Sequence, residues 1–218
     1  MEITTIKATV IKTNNYLVSE GKTCVLVDCS MPKADLEKAL NGNKLSAILL
    51  THGHWDHFLT VEKIGNTYNV PIYCTKECYA KIIASKDSTL KVARKVNINT
   101  DNLNFRFIKN NDVLNFGKLS FKVFSSRGHT DCGVCYLIED RLFTGDTLFR
   151  GTYGRTDLPT GDLAATITTL RRLSKLHHNL IVLPGHGATT SIGAEQSMIN
   201  SVLAGTKDFV DSEEDCWC

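Results

Sequence analysis

Three of the chain's seven histidines lie within six positions of one another, His52, His54 and His57, with Asp56 between them. A strand-to-helix loop has no structural need for several histidines, and side by side they compete for hydrogen-bond partners. Neutral imidazole is the commonest transition-metal ligand and carboxylate its usual companion. The run Thr51-His52-Gly53-His54-Trp55-Asp56-His57 therefore reads as a divalent-metal site. In an extended loop residues 52, 54 and 56 project to one side, with Asp56 and His57 near a helix start. Three later stretches share one pattern: Gly128-His129-Thr130, Gly145-Asp146-Thr147 and Gly185-His186-Gly187. In each, a glycine directly precedes the candidate ligand, and glycine permits a sharp turn off a strand end. Sites in α/β sheets gather at strand ends. His52, His54, Asp56, His57, His129, Asp146 and His186 are thus expected to converge on one cleft.

The elements that must position these residues follow from apolar periodicity. Strands are expected over 3–10, 16–19, 25–28, 45–50, 72–74, 105–108, 119–125, 134–138, 142–144 and 180–183. Helices are expected over 33–40, 58–68, 76–84, 162–176 and 192–202. Pro32 opens the first helix and Gly42 ends it, and Asp162 is the expected N-cap of the fourth. The alternation predicts an α/β fold with helices on the outer faces of the sheets. The asparagine-rich stretch 97–111 is the expected connection between two halves of a single domain spanning 1–218. Strand 105–108 is assigned to the second half, and a frayed tail is expected over 206–218.

Composition narrows the function classes. The chain has 218 residues, 42% apolar and 22% charged, with a formal net charge of +2. These are ordinary globular values, and no Lys/Arg run marks a nucleic-acid footprint. No apolar run approaches the roughly 18 residues needed to span a bilayer, and residues 1–20 lack a secretory h-region. A soluble cytoplasmic enzyme without nucleic-acid or membrane partners is the expectation, its oligomeric state left open. The eight cysteines are expected to be reduced thiols. Cys24 and Cys29 read as buried small hydrophobes, and Cys132-x-x-Cys135 reads more readily as strand-flanking thiols than as a redox pair. Cys216-Trp217-Cys218 does not form a C-a-a-X box. His177 and His178, near a helix C-terminus, read as surface residues. No G-x-S-x-G elbow or Walker loop is present.

Taken together, residues 51–57, 128–130, 143–149 and 184–187 resemble the metallo-β-lactamase superfamily, and within it the glyoxalase II (hydroxyacylglutathione hydrolase) group. The resemblance runs from about Tyr16 to Gly187. It implies a four-layer αβ/βα sandwich, two mixed sheets face to face with helices outside. It also implies two divalent metal ions, zinc first, with iron or manganese as alternatives. The first ion would be held by His52, His54 and His129, the second by Asp56, His57 and His186, with Asp146 bridging. A histidine at position 57 resembles the glyoxalase pattern, which disfavours antibiotic hydrolysis. Formal counting of the ions, Asp56, Asp146 and a bridging hydroxide leaves about one excess positive charge. Metal-bound water has a pKa lowered toward about 7. The resulting hydroxide, with Asp56 as catalytic partner, would attack an ester, thioester or lactone carbonyl, and the metals would stabilise the oxyanion.

Residues 150–157, Arg-Gly-Thr-Tyr-Gly-Arg-Thr-Asp, are expected to line the mouth of the site, with Arg155 and Tyr153 as substrate contacts. Glyoxalase II enzymes carry a lysine where Arg155 stands. Arg155 could bind an anionic carboxylate bidentately or pair internally with Asp157. The chain also departs from full-length glyoxalase II. It has room for about one helix after Gly187, and Asp157 stands where those enzymes have a tyrosine. The short form implies a small-molecule thioester as substrate, S-D-lactoylglutathione or a related hydroxyacyl thioester. The alternative is a mononuclear iron persulfide dioxygenase using His52, His129 and Asp146, although Leu158-Pro159 stands where Phe-Gln would be expected. Lactonase and nuclease readings rank below both.

Overall fold

A computed structural model of the chain describes residues 1–84 and 98–206. Within them two six-stranded sheets stand face to face. The first runs in the order β1 (Glu2–Lys7), β2 (Asn14–Glu20), β3 (Thr23–Val27), β4 (Lys44–Leu49), β5 (Pro71–Cys74) and β6 (Asn104–Phe107). Its first three strands are antiparallel hairpins, and β3 through β6 are parallel. The second sheet runs β7 (Val113–Phe116), β8 (Leu119–Ser125), β9 (Val134–Ile138), β10 (Arg141–Gly145), β11 (Ile181–Pro184) and β12 (Thr190–Ser191). Only β10 and β11 are parallel there. Helices α1 (Lys33–Leu40), α2 (Trp55–Phe58), α3 (Val61–Tyr68) and α4 (Lys76–Ala84) cover the outside of the first sheet. Helices α5 (Leu163–Leu173) and α6 (Ile192–Leu203) cover the second.

Strand periodicity builds the four layers. Successive side chains of a strand face opposite sides. Val25 and Val27 enter the core between the sheets while Leu26 faces the helices, and Ala47 and Leu49 alternate with Ile48 in the same way. The intersheet core joins them to Phe121, Val123, Tyr136 and Phe143 of the second sheet. Both faces of the central strands are covered, which is why they read as continuous apolar runs. The result is the expected αβ/βα sandwich.

Differences from the sequence reading have physical causes. The single helix expected over 58–68 is two, because the chain breaks at Leu59–Thr60. The Thr60 amide donates to Cys29 O and its hydroxyl to Met31 O, at 3.0 and 3.1 Å, tying the break to the loop after β3. The first strand stops at Lys7 rather than residue 10, because Ile11 and Lys12 adopt left-handed φ values of 60° and 53°. Strand 105–108, assigned above to the second half, is β6 and closes the edge of the first sheet. The crossover to the second sheet therefore falls between Phe107 and Val113. Cys132 and Cys135 are buried in cores on opposite sides of the sandwich, so this CxxC is not a facing pair. Asp162 caps α5 as expected, its carboxylate accepting from the Ala165 amide at 3.0 Å. His177 and His178 are exposed just beyond that helix. The tail ending in Cys216-Trp217-Cys218 lies outside the described residues apart from Thr206, as does residue 97 of the expected connection.

Candidate metal centre

Four strand ends meet at one edge of the sandwich. The segment after β4 delivers His52 and His54, and α2 delivers Asp56 and His57. The turns after β8, β10 and β11 deliver His129, Asp146 and His186. All seven side chains are buried. Their ligand atoms form two groups, His52/His54/His129/Asp146 and Asp56/His57/His186, within each of which all lie inside 4.8 Å of one another. Asp146 reaches into both: its Oδ2 is 3.6 Å from His129 Nε2 and 3.6 Å from His186 Nε2, and its Oδ1 is 3.2 Å from His57 Nε2. Asp56 is not in line with His52 and His54, as an extended loop would place it. It sits on the helical turn α2, which rotates it toward His57 and His186.

The donor set fits metal ions. His52 Nε2, His57 Nε2, His186 Nε2 and both Asp146 oxygens are buried and make no hydrogen bond. Orphaned buried polar atoms are rare and costly. Five of them turned toward one another are satisfied together by cations. The opposite faces of several ligands are anchored, as ligating histidines require. The His57 Nδ1–H donates to Asp28 Oδ2 at 2.7 Å, the His129 Nδ1–H to Arg155 O at 2.8 Å, and His52 Nδ1 lies 3.1 Å from the Thr51 hydroxyl. Asp28 itself accepts from the Thr51 amide at 2.8 Å, and the Gly53 amide donates to Cys132 Sγ at 3.3 Å, fixing the histidine-bearing loop from behind.

Electrostatics divide the ligands. Burial, reinforced by the neighbouring histidines, depresses His52 and His54 well below the ordinary imidazole range. Burial also pulls His57 down, but the facing carboxylates of Asp146, Asp56 and Asp28 outweigh it and hold it well above that range. Asp56 is pushed down to about 2: burial opposes ionisation, and His57 and His186 overcome it. Asp146 is likewise held low against burial, chiefly by His57 and His186. Both carboxylates are anions at neutral pH.

The glycines before the ligands have a steric role. A Cβ on Gly145, at φ 49°, would fall 2.5 Å from Thr51 Oγ1, and one on Gly128, at φ 146°, 2.2 Å from Thr166 Oγ1. A Cβ on Gly185 would fall 2.1 Å from Asp146 Oδ1 and 2.6 Å from His57 Cε1. The substitution Gly185→Ala is therefore expected to weaken metal binding by about tenfold or more, as displaced ligand shells do, with helix content unchanged. Elemental analysis beside circular dichroism checks this, and undiminished metal content would contradict it.

Tyr153 is 3% exposed and packs into the core beneath α5 and α6. The Arg155 guanidinium forms a two-pronged pair with Asp157, Nε to Oδ1 and Nη2 to Oδ2, both 2.7 Å. This is the internal pairing that the sequence offered beside a carboxylate contact, and it uses the Nε/Nη2 edge of the guanidinium. What Arg155 gives the centre directly is its backbone carbonyl, on His129. Sequence reasoning missed Asp28 and Thr13. Asp28 ends an apolar strand with φ 58°, a conformation to which short polar residues are suited. An acidic residue closing a buried strand is the signal that could have exposed it.

Comparison with known proteins agrees with this geometry. The chain is 28% identical to the hydroxyacylglutathione hydrolase GloC of Haemophilus influenzae over 205 residues, covering 90% of this chain and 95% of that one. Among solved structures it matches the B3 metallo-beta-lactamase BLEG-1 with a TM-score of 0.83 and 29% identity, covering 90% of this chain and 97% of that one. It matches TTHA1623, solved in a di-iron-bound form, with a TM-score of 0.77 and 30% identity, over 88% of this chain and 96% of that one. Among the described residues no helix is long and apolar enough to cross a membrane. The sandwich, the clustered histidines and aspartates at its edge and a family model matching residues 8–186 lead to one conclusion: the chain belongs to the metallo-beta-lactamase superfamily, whose members are metal-dependent hydrolases.

Proposed function

We propose that the chain is a binuclear metal-dependent thioester hydrolase acting on S-D-lactoylglutathione or a related hydroxyacyl thioester. The observation that carries this reading is the position of Asp146, whose carboxylate stands within 3.6 Å of histidines from both ligand groups. Bound there, two divalent ions would supply an ionised water at neutral pH and a Lewis acid for the developing oxyanion. His52, His54 and His129 would hold the first ion, Asp56, His57 and His186 the second, and Asp146 both.

The chain's own groups favour a thioester. Asp56, at about 2, holds no proton to give a leaving group at pH 7. Asp146 is held low as well. A general acid needs a pKa near the working pH, and neither carboxylate meets that need. A departing thiolate has a conjugate-acid pKa of about 8.5 and leaves without one. An amide nitrogen does not. The named activity of the Haemophilus relative and the di-iron form of TTHA1623 support the same reading.

Metal quantification on purified protein, paired with parallel assays, tests it. Two ions per chain and turnover of S-D-lactoylglutathione are expected. A fully metallated chain inert toward thioesters would overturn the substrate class. Oxygen uptake with glutathione persulfide on one iron per chain would replace it with the dioxygenase reading, and hydrolysis of a β-lactam alone would redirect it toward the lactamases.

A further inference from the structure

The loop before β2 holds a side chain for which the reaction so far has no use. Thr13 is fully buried, and its hydroxyl donates to Asp56 Oδ2 at 2.9 Å. That oxygen also faces His186 Nε2 at 3.2 Å and His57 Nε2 at 3.4 Å, so Thr13 holds the carboxylate oxygen that the second ligand group shares. We propose that Thr13 is a positioning residue for the second metal ion, fixing Asp56 against His57 and His186.

The surrounding backbone is built around this contact. Ile11 and Lys12 take φ values of 60° and 53°, two successive left-handed residues without a glycine. The first is β-branched, and such a residue there is an outlier that persists only where the surroundings impose it. The turn is closed by the Ala8 amide donating to Thr13 O at 2.9 Å and by Asn15 Nδ2 donating to the same oxygen at 3.1 Å. Asn15 is held in turn by Ser30, whose amide donates to Asn15 Oδ1 at 2.7 Å. The same segment grips the other side of the group. The Asn14 amide donates to Gly185 O at 2.7 Å, and Asn14 Nδ2 donates to Pro184 O and Gly187 O at 3.0 and 3.1 Å. The Tyr16 hydroxyl donates to Pro184 O at 2.7 Å. Residues 13–16 therefore fix the carboxylate of Asp56 directly and the turn bearing His186 on both flanks.

The inference rests on the two-metal reading and is independent of the substrate. It is tested by titrating metal-free protein with Zn²⁺ against a competing chelator and counting bound zinc per chain. Wild type and Thr13→Ser are expected to bind two ions alike. Thr13→Ala and Thr13→Val, the latter keeping the shape without the hydroxyl, are expected to bind the first ion normally and the second about 10–100-fold more weakly, the usual cost of losing an outer-shell partner. Thermal unfolding of the metal-free variants monitors the fold. The proposal is overturned if Thr13→Ala keeps its second-ion affinity, if both ions weaken equally, or if Thr13→Ser loses the second ion with Thr13→Ala. It also falls if neither hydroxyl-free variant folds, since the residue would then serve the fold and not the ion. A wild-type chain that holds a single ion would overturn the two-metal reading itself. Thioester inactivity with the zinc pattern intact would remove only the substrate class.

Discussion

Stripping the metal-loaded chain with a strong chelator is expected to lower thioester hydrolysis more than about a thousandfold and to lower the melting temperature by about 8–16 °C. The activity loss follows from the pKa of water, which is 15.7 free and about 7 beside a catalytic metal. With no ion present, no group of the centre replaces that contribution, because Asp56 and Asp146 are already anions held by His57 and His186. The stability loss follows from linkage. The range counts one ion: present at about a thousand times its dissociation constant it stabilises by about 4 kcal/mol, about 2–4 °C accompanies each kcal/mol in a chain of this size, and a second ion held as tightly would double the shift. The gap between loaded and stripped protein is also expected to widen above pH 6.5. In the metal-free chain His57 and His186 are raised, so their contribution is complete below the unfolded imidazole value and fades as pH rises through the folded one. His52, His54 and His129 are depressed and contribute no slope in that window, nor do the carboxylates. Metal uptake moves the other way, tightening as His57 and His186 lose the protons that compete with the ion. Scanning calorimetry of both forms from pH 6.5 to 8.5 tests this, and a constant gap or an active stripped enzyme would refute it.

The centre was more legible in the sequence than its support. The seven clustered residues were readable because each is a histidine or aspartate in a loop or turn that follows an apolar strand, four of them directly behind a glycine. Gly185 shows the reason, since a side chain there would collide with Asp146 and His57. The alternation of Val25, Leu26 and Val27 likewise carried the layering, because a strand between two cores must be apolar on both faces. What the sequence concealed depends on distant partners. Thr13 meets Asp56 across 43 positions and Asp28 meets His57 across 29, and no local pattern marks either. β6 is four residues long and fits either sheet by composition, so only its pairing with β5 assigns it. β7 and β12 are short and half-exposed, and carry too little alternation to read as strands. For Tyr153 and Arg155 the sequence was silent for a related reason: proximity to Asp146 along the chain does not say whether a side chain points into the cleft, into the core or at its own neighbour.

Replacing Asp28 is expected to damage the centre without touching a ligand. Its two oxygens accept from the Thr51 amide, the Thr51 hydroxyl and His57 Nδ1–H. The last of these sets the His57 tautomer, leaving the Nε2 lone pair turned toward Asp56 and Asp146. In Asp28→Ala the Thr51 amide and His57 Nδ1–H are both left buried and unpaired. Each costs about 1–3 kcal/mol, so a loss of about 2–6 kcal/mol is expected, large beside a typical total of about 5–15. Alanine is also less suited than aspartate to the φ of 58° at this position. Asp28→Asn separates the two effects. Asparagine tolerates the same backbone and keeps one carbonyl oxygen for the Thr51 amide, but it turns an amide N–H₂ toward His57 Nδ1. That variant is expected to retain most of the stability while second-ion affinity and turnover fall about 10–100-fold, the outer-shell range. Urea unfolding, zinc per chain and thioester turnover, measured on both variants, distinguish the outcomes. If Asp28→Asn unfolds as readily as Asp28→Ala, the residue serves mainly the β3–β4 edge. If Asp28→Asn binds two ions and turns over normally, His57 needs no anchor, and the second group must be held by Thr13 and the Asn14 clamp alone.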